Sequence, residues 1–210
     1  MKRNISRMLG LLLLVSMLGG CSAVQLEERN FPMLAAVDDH GGLVEFTYGF
    51  PALSQKDNTD MAEAKVNVPM TAKSSFSEAL SDYERQMSKK ADCNHLKVLV
   101  LGKNFVEERK AFDEMLVSLK KTELFPRNTY VCVTGDVESL LAVEENLPED
   151  LGTYLEMYLQ NHESDQQIKL INLGKLLDER ENRKEAINIP CLGVENDAIV
   201  PEGIFTVDFR

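Results

Sequence analysis

The histidines of this chain are spread too widely to form a catalytic or metal-binding pair. His40, His95 and His162 fall in a predicted turn, at the start of a predicted strand and at the end of a predicted helix. Two histidines that bind a metal from one face of a helix stand four residues apart, and no pair here does. The sequence also lacks the G-x-S-x-G segment that presents a catalytic serine. We therefore predict that the protein is not an enzyme and has no catalytic residue, cofactor or metal.

Two short segments have residues that can bind ions, but each has a simpler structural explanation. Residues 102–104, Gly-Lys-Asn, follow a predicted strand and begin a predicted helix, where backbone N–H groups can hold phosphate. This segment lacks the longer glycine-rich phosphate patterns, so we favour a strand-to-helix turn in which Asn104, with Glu107, caps the helix. Residues 38–42, Asp-Asp-His-Gly-Gly, lack the spaced ligands and the distal Glu of a calcium loop. We favour a hairpin turn there.

Three cysteines in the body of the chain leave two structural interpretations open. Cys93, Cys132 and Cys191 are odd in number and lack C-x-x-C spacing, which argues against a zinc site or a thioredoxin-like site. They form either one disulfide plus a free thiol or three free, buried cysteines. We favour the second interpretation, because Cys132 and Cys191 lie in apolar, strand-like segments. Cys93 is then the thiol that we expect to be most exposed.

The amino terminus has the features of a bacterial lipoprotein signal. Residues 1–20 combine three basic residues with an apolar run over residues 8–18 that is too short to cross a bilayer. Residues 18–21, Leu-Gly-Gly-Cys, resemble a lipobox, in which cleavage precedes the cysteine and its sulfur carries diacylglycerol. We predict a signal peptide over residues 1–20, lipidation at Cys21 and a lipidated tether over residues 21–29. The alternative is an ordinary secretory signal followed by an incidental cysteine.

The charge of the chain limits what it can bind. The 210 residues include 23 Lys or Arg and 34 Asp or Glu, for a formal net charge of −11. Removal of the signal peptide takes away three positive charges and leaves −14. This balance disfavours nucleic acid and anionic lipid as partners, so the lipid must supply the membrane anchor. With 44% hydrophobic residues, the chain has enough apolar material for a packed core.

Strand-like and helix-like segments alternate along the body. Apolar, β-rich runs predict strands over residues 33–37, 43–50, 96–101, 128–133, 187–194 and 198–209. Apolar residues at helical spacing predict helices that begin at the capping residues Ser75, Asn104 and Asp136, a helix through residues 151–159 and another that starts at Asn172. Residues 96–133 have the length and order of a βαβ crossover, in which Leu99 and Leu116 should be buried together. The sequence therefore predicts a mixed α/β (α+β) fold, with a mixed β-sheet, packed helices and one βαβ crossover, in one lobe or two.

The acidic, proline-containing run at residues 144–150 is the best predicted boundary within the body. It separates a mixed α/β lobe over residues 30–143 from a smaller lobe over residues 144–210, which contains helices and a β-hairpin. In the last strand, Phe205, Val207 and Phe209 share one face. We expect this strand to pair with residues 187–194 and to bury that face in the smaller lobe. The alternative is an exposed apolar edge that recruits a partner or aggregates.

The order of these motifs resembles the amino-terminal region of the Ger(x)C family, the lipoprotein C subunits of spore germinant receptors. The resemblance extends from Cys21 to about Phe209. It rests on the lipobox, on LEERNFP at 26–32 followed by the strand at 34–38, and on the helix at 76–87 followed by HLKVLVLG at 95–102. The strand at 128–135 and the segment 168–177, which is followed by Ile189-Pro190, also fit. Two features depart from the family pattern. Ser22 and Ala23 stand where an aromatic and an acidic residue are usual, and the sequence ends at Arg210, where family members continue into a further domain.

The resemblance implies a non-catalytic, lipid-anchored accessory subunit of a spore germinant receptor, which acts through protein–protein interaction. It also implies multi-span A and B subunits as partners and a location on the outer face of the spore inner membrane. The ending at Arg210 raises the expectation of a short form, one half of a split gene or a remnant. The alternative function is an extracytoplasmic small-ligand-binding lipoprotein that serves a transporter or sensor, which would need a cleft between the two lobes.

Overall fold

A six-stranded mixed β-sheet forms the centre of the protein. The computed structural model describes residues 29–51, 75–86, 89–164, 168–182 and 186–209. Its strands are β1 (Arg29–Asn30), β2 (Leu34–Asp39), β3 (Val44–Gly49), β4 (Lys90–Ala91), β5 (Val98–Gly102), β6 (Tyr130–Thr134), β7 (Ile187–Glu195) and β8 (Ala198–Val207). Strands β3, β2, β5, β6, β7 and β8 lie side by side in that order, and β1 and β4 form a separate parallel pair. The architecture confirms the predicted mixed α/β fold.

The inner strands run parallel and the outer strands run antiparallel to their neighbours. Strands β2, β5, β6 and β7 pair in parallel, whereas β3 is antiparallel to β2 and β8 is antiparallel to β7. The parallel pairing of β5 with β6 confirms the predicted βαβ crossover. Among the described strands, the order of the parallel strands follows the chain without reversal. These described strands therefore form no switch-point crevice of the kind in which open α/β sheets usually bind ligands.

Helices cover both faces of the sheet. They are α1 (Phe76–Gln86), α2 (Lys103–Glu107), α3 (Arg109–Thr122), α4 (Val137–Ala142), α5 (Leu151–Ser164) and α6 (Leu173–Asn182). Helices α1, α3 and α6 bury side chains against the first face, and α4 and α5 bury side chains against the second face. None of the helices in the described part of the chain is long and apolar enough to cross a membrane.

The inner strands are apolar throughout because both of their faces are covered. Leu99 and Leu101 belong to the core on the first face, and Val98 and Val100 belong to the core on the second face. All four are fully buried. Alternation of side chains along a strand produces this division, and burial on both sides explains the continuous apolar run in the sequence. Leu116 of α3 is fully buried in the same core as Leu99, as predicted.

Most of the predicted helix caps are present, but one is wrong. The side chains of Ser75 and Asp136 each accept a hydrogen bond from the backbone N–H three residues later, at 3.3 and 2.9 Å. Asn104 does not cap a helix, and Glu107 completes no capping box with it. Helix α2 begins directly after Gly102, so Gly102 occupies the N-cap position. It has no side chain that could accept a capping hydrogen bond. The strand runs straight into the helix, so Asn104 is already inside the first turn.

All three cysteines of the described body are free, and the prediction that Cys93 is the most exposed is wrong. Cys93 is 4% exposed, whereas Cys191 is only partly buried. Asp92 caps the short 3₁₀ turn that holds Cys93 and accepts a hydrogen bond from the Asn94 N–H, so the thiol turns toward the core. Burial, with smaller contributions from nearby groups, raises the pKa of Cys93 and of Cys132 to about 12.

The last two strands form the predicted hairpin. Asn196 and Asp197 have φ angles of 51° and 60°, the left-handed conformation that two-residue hairpin turns of type I′ require. Val207 is fully buried, and the ring of Phe209 stacks on Phe112 of α3 at a centroid distance of 6.2 Å. The pairing of the terminal strand is as predicted, but its apolar face packs on the first face of the sheet, where Phe209 contacts the larger predicted lobe and Phe205 and Phe209 are only partly buried.

The sheet includes strands from both sides of the acidic run at residues 144–150. Val133 and Thr134 of β6 pair with Cys191 and Leu192 of β7. The two segments that the sequence divides at residue 144 thus contribute to one sheet. The division into lobes stays a prediction.

Candidate functional site

Cys21, the predicted lipidation site, lies outside the described residues, but the structure shows how the chain that follows it enters the folded body. Strand β1 pairs in parallel with β4. The Arg29 guanidinium lies 2.5 Å from the Asp92 carboxylate, and the Asn30 amide donates a hydrogen bond of 2.6 Å to the Tyr83 hydroxyl. Burial opposes ionisation of Asp92, but hydrogen bonds from the Asn94 backbone and from Arg29 outweigh it and lower the pKa of that carboxyl below 3.8. The chain is therefore fixed to the body from Arg29 onward.

This entry point lies at the amino ends of β2 and β5. The Asp92 N–H donates to the Asn30 carbonyl at 2.8 Å, and the Lys97 N–H donates to the Met33 carbonyl at 2.8 Å, just before the two strands begin to pair. A parallel strand of six residues is about 20 Å long. Side chains at the carboxyl end of β2 are thus about that far from the entry point.

A cleft with an acidic rim lies at the carboxyl end of β2, on the second face of the sheet. Its volume is about 480 Å³. Ala36 and Thr47 form its floor, α4 forms one wall, and the rim carries four carboxylates, those of Asp38, Glu45, Glu138 and Glu145, together with His40. We call this feature the acidic cleft. The lining has no Lys, Arg, Ser or Cys among the described residues.

The strand register brings the floor and one side of the rim together. Ala36 pairs with Thr47 and Asp38 pairs with Glu45 across the antiparallel β2–β3 ladder. The first-face core contains Phe46 and Tyr48, so alternation places Glu45 and Thr47 on the second face. Helix α4 is only six residues long. The cleft therefore lies where this short helix meets the sheet.

Asp38 is the most buried carboxylate of the rim. Its residue is 8% exposed, and its Oδ1 accepts a hydrogen bond of 2.8 Å from the Asp39 N–H. Burial raises the pKa of Asp38 above 3.8, although this hydrogen bond and His40 oppose the rise, while the charge of Asp136 adds to it. His40 Nε2 lies 3.5 Å from a Glu45 oxygen and 4.0 Å from an Asp38 oxygen. The imidazole is thus the positively chargeable group of the rim.

Thr47 is a buried polar residue whose side chain has no hydrogen-bond partner among the described residues. It is 6% exposed and lines the acidic cleft, yet its hydroxyl makes no hydrogen bond to any residue in the described part of the chain. The hydroxyl oxygen itself is not fully enclosed and opens onto the cleft. The hydroxyl is therefore available to a group that enters the cleft.

The other residues that the sequence singled out as possible functional groups pack against neighbouring side chains. His95 makes an edge-to-face contact with Phe31 at 5.1 Å, and the His162 ring lies 3.9 Å from the Tyr158 ring. A Cβ at Gly102 would collide with the carboxylate of Asp38. This glycine thus makes room for an acidic side chain, whose charge opposes phosphate binding at residues 102–104.

The sequence alone does not predict the acidic cleft. Of its lining residues, only Asp38 and His40 belong to a segment, residues 38–42, whose residue types suggest ion binding. The remaining signal is weak: acidic side chains at positions 138 and 145, and a Thr two residues after Glu45 on the same face of its strand. In the described part of the chain, no group of three or more His, Cys, Asp or Glu side chains converges as a metal site requires. The arrangement is suited to attracting a cation rather than to chelating a metal or attacking a bond.

The comparison with protein families gives a match over most of the chain. A family model described as the spore germination protein N-terminal domain matches residues 22–194. No curated protein and no solved structure matches the chain significantly. The family match confirms the resemblance to the amino-terminal region of the Ger(x)C proteins.

Proposed function

Since this chain belongs to the spore germination protein N-terminal domain family, we propose that it is a non-catalytic, lipid-anchored accessory subunit of a spore germinant receptor. The match over residues 22–194 is the observation that carries the proposal, and it gives the protein a role in spore germination. The proposed partners are the multi-span A and B subunits of the receptor. The proposed location is the outer face of the spore inner membrane.

The entry point of the chain supports a defined orientation for a lipid-anchored body. Residues 21–28 span at most about 28 Å when fully extended. Because β1 is fixed at the amino ends of β2 and β5, a lipid on Cys21 would hold that end of the sheet near the membrane. The acidic cleft, at the carboxyl end, would then face away from it. The net charge of the mature body, −14, would repel anionic lipid, so this orientation depends on the lipid.

Mass spectrometry and metabolic labelling test the anchor. We expect the mature amino-terminal peptide to begin at Cys21 and to carry diacylglycerol, and we expect the protein to incorporate labelled fatty acid. The Cys21→Ala chain should take up no label, whereas the matched Cys191→Ala chain should be labelled like the natural protein. Label on the Cys21→Ala chain, or a natural protein without lipid, would contradict the lipoprotein assignment.

Spore germination and cross-linking test the receptor role. Spores without this protein should germinate more slowly with at least one germinant, and the natural gene should restore the rate. In the same spores, cross-linking should join the protein to multi-span membrane subunits encoded nearby. Normal germination of the mutant spores with every germinant that the strain uses would argue against a receptor subunit.

The acidic cleft supports a second candidate, a small-ligand-binding lipoprotein that serves a transporter or sensor. The observation in its favour is the unbonded Thr47 hydroxyl on the floor of a cleft of about 480 Å³, within the size range of small-molecule sites. The cleft does not lie between the two predicted lobes, since apart from Glu145 its lining comes from residues 30–143. Neighbouring genes for a permease and an ATPase would favour this candidate, and genes for multi-span receptor subunits would favour the first.

A further inference from the structure

We propose that the acidic cleft binds a small aliphatic diammonium cation, with one ammonium group held by the Thr47 hydroxyl and the adjacent carboxylates. This inference goes beyond the proposed receptor role and does not depend on the lipid anchor. It assigns a ligand class to a cleft that the family match alone does not interpret.

The charges that line the cleft select for cations. Asp38 and Glu45 come from the sheet, and Glu138 and Glu145 come from α4 and the 3₁₀ turn that follows it (Val143–Asn146). In the described part of the chain, no Lys or Arg lines the cleft, and His40, which lies beside Asp38 and Glu45, is the one basic side chain set against these four carboxylates. A carboxylate or phosphate on a ligand would be repelled from this rim. The cleft should therefore reject zwitterionic amino acids as well as anions.

Thr47 supplies a specific contact at the floor. The residue is 6% exposed, and its hydroxyl is open to the cleft and has no hydrogen-bond partner among the described residues, so a ligand group that enters the cleft can bond to it. An ammonium group has three donors and no acceptor, and the hydroxyl and carboxylate oxygens around it are all able to accept. The floor thus offers hydrogen-bond acceptors, which are the partners that an ammonium group needs.

The shape of the cleft favours an aliphatic dication over a metal ion. Two carboxylates stand on the sheet side and two on the helix side, and the described residues contain no three-ligand cluster for a metal. Apolar side chains of Ala36, Val137 and Leu141 lie between them, where they can contact methylene groups. A diamine of about four carbons can place one ammonium group near each pair of carboxylates. The volume, about 480 Å³, accommodates such a molecule.

Calorimetric titration of the full chain in detergent at pH 7 with 1,4-diaminobutane tests the proposal. We expect saturable one-to-one binding, weaker binding of butylamine, and no binding of alanine. Thr47→Val should weaken diamine binding about tenfold or more, because it removes a hydrogen bond to a charged group. Thr47→Ser, which keeps the hydroxyl, should bind like the natural protein. Glu138→Gln should weaken binding a few-fold.

A matched charge change on the other side of the molecule is the control. Glu114 is an exposed carboxylate on α3, the helix that covers the first face, so Glu114→Gln should leave the affinity unchanged. An equal loss with Glu114→Gln and Glu138→Gln would overturn the proposal, as would unchanged binding by a folded Thr47→Val chain. Absence of diamine binding, tighter binding of Ca²⁺, or binding only of a lysine-containing peptide would each also overturn it.

Discussion

Replacement of Gly152 by Ala should destabilise the protein, although the same change stabilises most helices. Gly152 is the second residue of α5. A Cβ at this position would lie 2.5 Å from the carbonyl oxygen of Met33 and 2.6 Å from its carbonyl carbon. Met33 cannot move aside freely, because its N–H donates to the Gly49 carbonyl at 2.9 Å and its own carbonyl accepts from the Lys97 N–H at 2.8 Å.

The size of this destabilisation follows from one stabilising and two destabilising contributions. Helix propensity alone would make Gly152→Ala more stable by about 1 kcal/mol. Overpacking in a close contact costs about 1–3 kcal/mol, and weakening a backbone hydrogen bond at Met33 costs about 1 kcal/mol more. The free energy of unfolding should therefore fall by about 1–3 kcal/mol. This contact joins α5 to the start of β2, so its loss would weaken the attachment of residues after the acidic run to residues before it.

Urea unfolding followed by circular dichroism measures the effect. Gly135→Ala is the matched control, since a Cβ there has no atom within 4 Å and the φ angle of Gly135 is not in the left-handed region. That control should be neutral or more stable by about 0.4–1 kcal/mol. If Gly152→Ala unfolds at the same urea concentration as the natural protein, or at a higher one, the close approach of α5 to Met33 is refuted.

Three further predictions concern the core, the thiols and a helix cap. Leu99→Ala should lower the free energy of unfolding by about 2–5 kcal/mol in the same urea assay, because the side chain is fully buried on the first face. Peptide mapping after alkylation of the native protein at pH 8 should find Cys191 modified, but Cys93 and Cys132 unmodified until urea is added, since both are buried and have pKa values near 12. Asp136→Ala should lower the free energy of unfolding by about 1 kcal/mol at neutral pH, because it removes the cap of α4. Hydrogen bonds from Ser139 lower the Asp136 pKa below 3.8, so the difference between the two chains should be present above that pH and should vanish as the pH falls through the lowered value.

The sequence by itself determined the elements whose signals are local. The continuous apolar run before Gly102 marks an inner parallel strand, because a strand that is buried on both faces has no polar side to show. The Asp136 cap and the Asn196-Asp197 turn depend on atoms within three residues of each other. The order of these motifs along the chain was also enough to indicate the family that the match over residues 22–194 shows.

Tertiary structure alone decided which distant residues meet. Thr47 and Glu138 are 91 positions apart, and only the strand register and the packing of α4 bring them to one cleft. The burial of Cys93 depends on how a 3₁₀ turn rests against the core, and the need for a glycine at position 152 depends on the backbone of Met33. Such contacts leave no periodic pattern in the sequence, because each joins a single residue to a surface formed by other parts of the chain. Local propensity therefore predicts the elements, and the contacts between them create the acidic cleft.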